Sequence, residues 1–228
     1  FPFNYVLPEG IQREQSVGVF NALQNEQSLS LKANDLCKGG NRSVFKNVNI
    51  DMRVYKRLKM FVHAESLEEM DIPDGDVSIF IRLGSDVREN YYEYEIPLTM
   101  SDADELNNDP NSSEYKQEVW RAENEFDFPL DSLVLLKRER NKADFSLGEE
   151  FIRVLGNAND RMAHTIRIKG NPNIGFVKIA MIGVRHREEY SMAETHDVEI
   201  WANELRLTGL DERGGWAATA RMDMQLAD

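Results

Sequence analysis

Two runs of alternating residues, Val77 to Leu83 and Tyr91 to Leu98, constrain this chain more than any other feature. Val77, Ile79, Ile81 and Leu83 alternate with Ser78, Phe80 and Arg82, and Tyr92, Tyr94, Ile96 and Leu98 alternate with Glu93, Glu95 and Pro97. A strand turns successive side chains to opposite faces, so each run reads as a half-buried strand. Gly84 to Asn90 supplies Gly, Ser, Asp and Asn, which suit a hairpin loop between them. Antiparallel pairing would put Arg82 on a solvent face together with Glu93 and Glu95, where opposite charges across a ladder are mildly favourable. Pro97 has no ladder donor, which assigns it to a sheet edge or to the end of its strand.

The same period recurs along the chain. Gln27 to Ala33 alternates through Leu29, Leu31 and Ala33, and Val44 to Ile50 through Val44, Val48 and Ile50, with a turn at Lys38 to Asn41. Leu58, Met60, Val62 and Ala64 share one face against Lys59, Phe61 and His63, and Phe61 suggests cover on both. His63 reads as a strand-surface histidine rather than a ligand. Ile72 to Asp76 is a turn that leads into the hairpin. His164 to Lys169 and Phe176 to Arg185 are further strands. In the second, Met181 is expected in a central, doubly covered position, where Met181→Asp should be severely destabilising. Asp197 to Gly209 is the last strand, and its phase slips between Val198/Ile200 and Leu205/Leu207, which predicts a β-bulge around Ala202 and Asn203. Trp201 beside the slip reads as a core anchor, the alternative being a sugar platform.

Asp127 to Lys142 is the one convincing helix. Asp127 is its expected cap, Pro129 fits the first turn, and Leu130, Leu133, Val134 and Leu136 fall largely on one side. Its basic end, Lys137, Arg138, Arg140 and Lys142, suits the helix dipole better than a binding patch. Ser101 to Glu118 reads as a mobile acidic loop. Asp102, Asp104, Glu105 and Asp109 are the carboxylates there that a calcium ion would use, but the spaced positions, central Gly and closing Glu of an EF-hand are missing. Phe1 to Gly18 reads as an extended arm lying on the domain.

A formal charge of −13 argues against nucleic acid and anionic membrane surfaces, both of which need clustered cations. Neutral, basic or calcium-loaded partners fit better. With Cys37 alone there is neither an internal disulfide nor a cysteine-based zinc site, and its bland reading is an unreactive, partly buried thiol. No run approaches the ~20 apolar residues of a membrane helix. Phe1-Pro2-Phe3 lacks an initiator Met and a signal-peptide pattern, so the chain is expected to be a mature or excised piece of something longer.

No GxSxG elbow, HExxH, P-loop or GxGxxG occurs. His63, His164, His186 and His196 are scattered, and His186 and His196 flank one loop without metal-ligand spacing. No catalytic or cofactor-binding residue can be assigned, and metal ligands stay unassigned.

Several longer blocks are more specific than any short motif: Asn25 to Leu31, Asp51 to Glu65, Ile81 to Asp86, Asn90 to Leu98, Gly170 to Asn173, Met181 to Arg185, Val198 to Thr208 and Gly214 to Ala218. Together they resemble the SprA/Sov family, the outer-membrane translocon of the type 9 secretion system of Bacteroidetes, which serves protein transport and gliding motility. The resemblance implies a piece of a very large β-barrel that passes folded cargo and works with lipoprotein and plug-like partners. This chain would be one non-catalytic insertion on the extracellular side. A second similarity, in strand order, is to jelly-roll carbohydrate-binding modules, which often hold a structural calcium whose ligands cannot be assigned here.

The expected organisation is therefore an arm over residues 1–18, an antiparallel β-sandwich of jelly-roll type with one short helix over 19–209, and a hinge and barrel strand over 210–228. Trp216, Ala218, Ala220, Met222, Met224 and Leu226 occupy every second position, the pattern of a transmembrane barrel strand, although one more strand of the sandwich has the same period. A structural domain should bury Tyr91, Tyr92, Trp120 and Trp201. A carbohydrate-binding module should expose aromatics on one face, and a glycan-active enzyme is the third alternative.

Overall fold

The computed structural model describes residues 4–11, 28–68, 71–102 and 109–210. The strands are β1 Leu29–Cys37, β2 Asn41–Ile50, β3 Arg57–Ser66, β4 Val77–Gly84, β5 Tyr91–Pro97, β6 Phe126–Pro129, β7 Phe151–Leu155, β8 His164–Lys169, β9 Val177–His186 and β10 Thr195–Thr208. Two helices are described, α1 Ser113–Val119 and α2 Asp131–Lys142. The strands form two antiparallel sheets, one ordered β1-β10-β3-β6 and the other β2-β9-β4-β5-β8-β7. Strands β1 to β4 alternate between the sheets, so each connection crosses the core, and hairpin β7–β8 extends the second sheet.

The mainly β, two-sheet class expected from the alternation is what forms. One face of each sheet meets in a single apolar core. Leu58, Met60, Val62, Ala64, Val198 and Ile200 come from the first sheet, and Ile79, Ile81, Leu83, Tyr94, Ile96, Ile166 and Val184 from the second. Tyr94 stacks on Phe128 across the gap with ring centroids 4.1 Å apart and planes 10° apart. The β4–β5 hairpin has the expected register, with Arg82 opposite Glu93 and Ile81 opposite Tyr94. Asp86 organises its loop by accepting the backbone N–H groups of Arg88, Glu89 and Asn90 at 3.0, 2.6 and 3.1 Å. Burial opposes ionisation there, but these bonds hold the Asp86 carboxyl well below the usual carboxylate range.

Several expectations are corrected. Asp127 does not cap a helix. It lies in β6 opposite Lys59, between the buried Phe126 and Phe128, and pairs with Arg57 at 2.5 Å and Lys59 at 2.9 Å. The helix starts at Asp131 after Pro129 ends the strand, and Val134 is exposed while Leu133 and Leu136 are buried. The acidic stretch also holds α1, capped by Ser112 Oγ, which accepts the Tyr115 N–H at 3.1 Å, and it buries Tyr115 and Val119 four residues apart. A polar composition hid that i, i+4 stripe. Pro97 ends β5 as expected, inside the sheet rather than at an edge.

Met181 lies on the outer face of its sheet, half-buried opposite Arg82 and Phe45, whereas Val177 and Val184 are the fully buried core residues of β9. The β10 bulge falls at Glu204 and Leu205, two residues beyond its expected place. Register shifts between Asn203 and Arg206, and Glu204 takes a left-handed φ of 52°. Cys37 is exposed, because Leu36 rather than Cys37 turns inward after the β1 bulge between Ala33 and Leu36. Residues 211–228, where the hinge and barrel strand were expected, lie outside the described residues.

Candidate functional site

Three constellations stand out from the scaffold. The first covers the outer face of the larger sheet, where alternation predicts solvent. Glu93 and Glu95 point outward yet are 0% and 3% exposed, because guanidinium groups from three neighbouring strands close over them. Arg82 binds Glu93 Oε2 at 2.8 Å through Nε and at 2.5 Å through Nη2. Arg167 and Arg185 reach Glu93 Oε1 at 2.8 and 3.0 Å and both also donate to Glu95. Ser78 Oγ donates to Glu95 at 2.5 Å. Phe80 is buried beneath Arg185 and Arg82, whose guanidinium carbons lie 4.7 and 5.6 Å from its ring centroid. Burial would raise the Glu93 pKa, but Arg185, Arg82 and Arg167 together bring it below the usual carboxylate value. The face is thereby an interlocked ion network, and Glu150 Oε2, 4.0 Å from Arg167 Nε, adds a third carboxylate at its margin.

The second constellation lies where β9 and β10 end beside the turn before β4. His186 and His196 are buried with ring centroids 4.4 Å apart. His186 Nδ1 must carry a hydrogen, since its partner at 2.9 Å is the Leu36 carbonyl. His196 Nε2 faces Ser191 Oγ at 3.3 Å and Asp76 Oδ2 at 3.4 Å, and its Nδ1 faces Glu68 Oε1 at 3.3 Å. Ser191, His196 and Glu68 thus have the connectivity of a nucleophilic triad. The chemistry does not follow from it: Ser191 is 3% exposed, and Asp76 contests the ring nitrogen that would take its proton. Arg161 pairs with Asp76, and Arg187 Nη1 donates to the Gly75 carbonyl at 3.1 Å, so the cluster ties the β4 turn to the neighbouring loops.

This cluster sets an expectation for pH. Burial lowers the pKa of His186, with the nearby His196 adding to the effect, and burial also lowers that of His164. For both, the unfolded chain takes up protons first as the pH falls. The stabilisation is complete above the ordinary imidazole value of 6.5 and shrinks as the pH drops below it. The melting temperature should therefore decline below that value, before carboxylate protonation adds a second loss below about the ordinary Glu value of 4.5. A His186→Gln/His164→Gln double variant should flatten the first decline. Thermal melts across the pH range check this, and an undiminished first decline in the variant would contradict it.

The third constellation clamps the N-terminal arm onto the outer face of the smaller sheet. Trp120 Nε1 donates to the Val6 carbonyl at 2.8 Å, Asn203 Nδ2 donates to Tyr5 Oη at 2.9 Å, and the Asn4 N–H donates to Tyr115 Oη at 2.8 Å. Tyr5 meets Trp120 edge-on at 6.0 Å and Trp201 at 6.1 Å. Trp201 also packs on His63 at 4.3 Å and donates to Glu199 at 2.8 Å. A cleft of about 680 Å³ alongside is walled by Glu9, Glu114, Glu118, Glu123 and Glu125 above Phe61 and Trp120. An apolar cleft of about 260 Å³ opens between the sheets near Val48, Met52, Leu83 and Leu207.

Tyr91, Tyr92, Trp120 and Trp201 are all buried, at 2%, 3%, 8% and 7% exposure. Trp201 is an anchor as expected, but in the aromatic cluster under the N-terminal arm, with Tyr115, Val119 and Trp120, rather than in the main core. His63 is not a surface histidine. It is 0% exposed, with Nδ1 donating to the Val119 carbonyl at 2.8 Å, because the end of α1 and the rings of Trp120 and Trp201 cover its face. Of the carboxylates considered for calcium, Asp102 lies beside Glu118, Asp109 caps a turn by accepting the Asn111 N–H at 3.0 Å, and Asp104 and Glu105 lie outside the described residues. Among the described residues, no group of three or more His, Cys, Asp or Glu side chains is placed to hold a metal ion.

The family described as motility related/secretion protein, SprA_N, matches residues 1–228. The chain belongs to this family. No curated protein matches the sequence. The SprA_N match covers the arm, the sandwich and the segment beyond β10 alike. Among the described residues, no helix is long and apolar enough to cross a membrane, which says nothing of strands in a barrel.

Proposed function

We propose that this SprA_N chain is a non-catalytic structural and interaction domain of an outer-membrane protein-translocation barrel of the type 9 secretion system. The observation that carries the reading is the burial of Tyr91, Tyr92, Trp120 and Trp201. A carbohydrate-binding module needs such rings at the surface, and here they hold the arm, the hairpin and α1 in place. The interleaved strand order supports a jelly-roll scaffold. The chain's partners would be the rest of the barrel, a lipoprotein or plug-like subunit, and secreted cargo. Residues 216–228 would enter the barrel wall. The domain would lie on the extracellular side, since bacterial barrels have short periplasmic turns and longer outer loops.

A glycan-array screen of the purified chain is expected to show no binding, and a specific glycan ligand would overturn the reading in favour of a carbohydrate-binding module. A protease site engineered at the exposed Asn111 should be cut in intact cells. Cutting only after the outer membrane is permeabilised would place the domain in the periplasm instead.

A further inference from the structure

Among the described residues the two sheets have four edges, and three carry devices that hinder the addition of another strand. β6 is four residues long and ends in Pro129, β7 is five residues long, and β1 is broken by its bulge, with Asp35 at a φ of 49°. β2 is different. It runs ten residues at the end of its sheet, and its register with β9 is unbroken from Asn41 to Asn47. Every residue of that stretch is exposed, Phe45 at 64% and Val44 at 41%. In an antiparallel ladder every second residue turns its N–H and C=O away from its partner, so this edge offers a row of backbone donors and acceptors.

Charge indicates what the edge accepts. In a chain of net charge −13, β2 contains Arg42 and Lys46 and no Asp or Glu, and β9 beside it adds Lys178, its Arg185 being paired with Glu93 and Glu95. Arg42 and Lys46 share one strand face, and Phe45 lies on the other. A second copy of β2 would bring like charges together across the new ladder, which is destabilising. An acidic strand meets the opposite situation. We propose that β2 is a docking edge for an extended acidic segment of a partner polypeptide, which adds as a further strand with carboxylates opposite Arg42 and Lys46 and an apolar residue beside Phe45.

The test is amide hydrogen exchange of the whole 228-residue chain, with the peptide acetyl-Thr-Glu-Val-Val-Thr-Glu-Thr-amide as probe and its Glu-to-Lys counterpart as control. At saturating acidic peptide, exchange should slow about tenfold within Asn41 to Asn47 and nowhere on β1, β6 or β7. The lysine peptide should give no such change. An Arg42→Glu/Lys46→Glu variant alters only exposed side chains and should reverse the preference, with an unchanged melting temperature showing that it is folded. Ser43→Pro, which removes a backbone donor, should abolish protection by either peptide. Absence of protection, equal protection by both peptides, or continued preference of the charge-reversed variant for the acidic peptide would overturn the proposal.

Discussion

Glu93→Ala is expected to lower the unfolding free energy by about 3–5 kcal/mol, the usual cost of removing one partner from a buried ion network. Glu93 is fully buried and accepts from Arg82, Arg167 and Arg185, so its loss leaves Arg82 without its carboxylate and Arg167 and Arg185 with Glu95 in its place. Arg82, Arg167 and Arg185 retain 16%, 14% and 19% side-chain exposure, and turning towards water would recover part of the loss. Urea denaturation reads the effect as a shift in midpoint at unchanged slope. A loss below ~1 kcal/mol would mean that these charges are solvated like an ordinary surface pair.

The second large effect separates the two faces of β9. Val184→Asp should unfold the domain at ordinary temperatures, because it places an unpaired carboxylate in the core, at a cost of several kcal/mol. Met181→Asp should cost less than ~1 kcal/mol, since Met181 is half-buried on the outer face and the new carboxylate would stand opposite Arg82. Thermal melts of the pair decide the matter. The reverse ranking would mean that β9 is slipped by one residue, since each single-residue step exchanges its faces.

Alternation locates β3, β4, β5, β8, β9 and β10 and the hairpin register, because local period and tertiary burial agree there. It marks Glu93 and Glu95 as solvent-facing, because their cover comes from arginines on strands β4, β8 and β9, which only the strand order brings alongside. The same holds for His63, hidden by the end of α1 with Trp120 and Trp201, and for His186 and His196, whose rings meet only once the ends of β9 and β10 are placed. β6 escaped notice because Phe126 and Phe128 give just two turns of the period, beside a stronger helical pattern. Cys37 was misplaced by a bulge that no composition rule marks.

On the proposed function the chain acts by its folded shape and surfaces, not by chemistry at the Ser191–His196–Glu68 node. The most direct measurement is secretion of cargo into the medium by cells carrying single substitutions in their own copy of this chain. Ser191→Ala, with its fold verified by thermal melting of the purified chain, is expected to leave secretion intact, whereas Val184→Asp should abolish it. Loss of secretion by a fully folded Ser191→Ala variant would contradict the claim and point to a nucleophile at work.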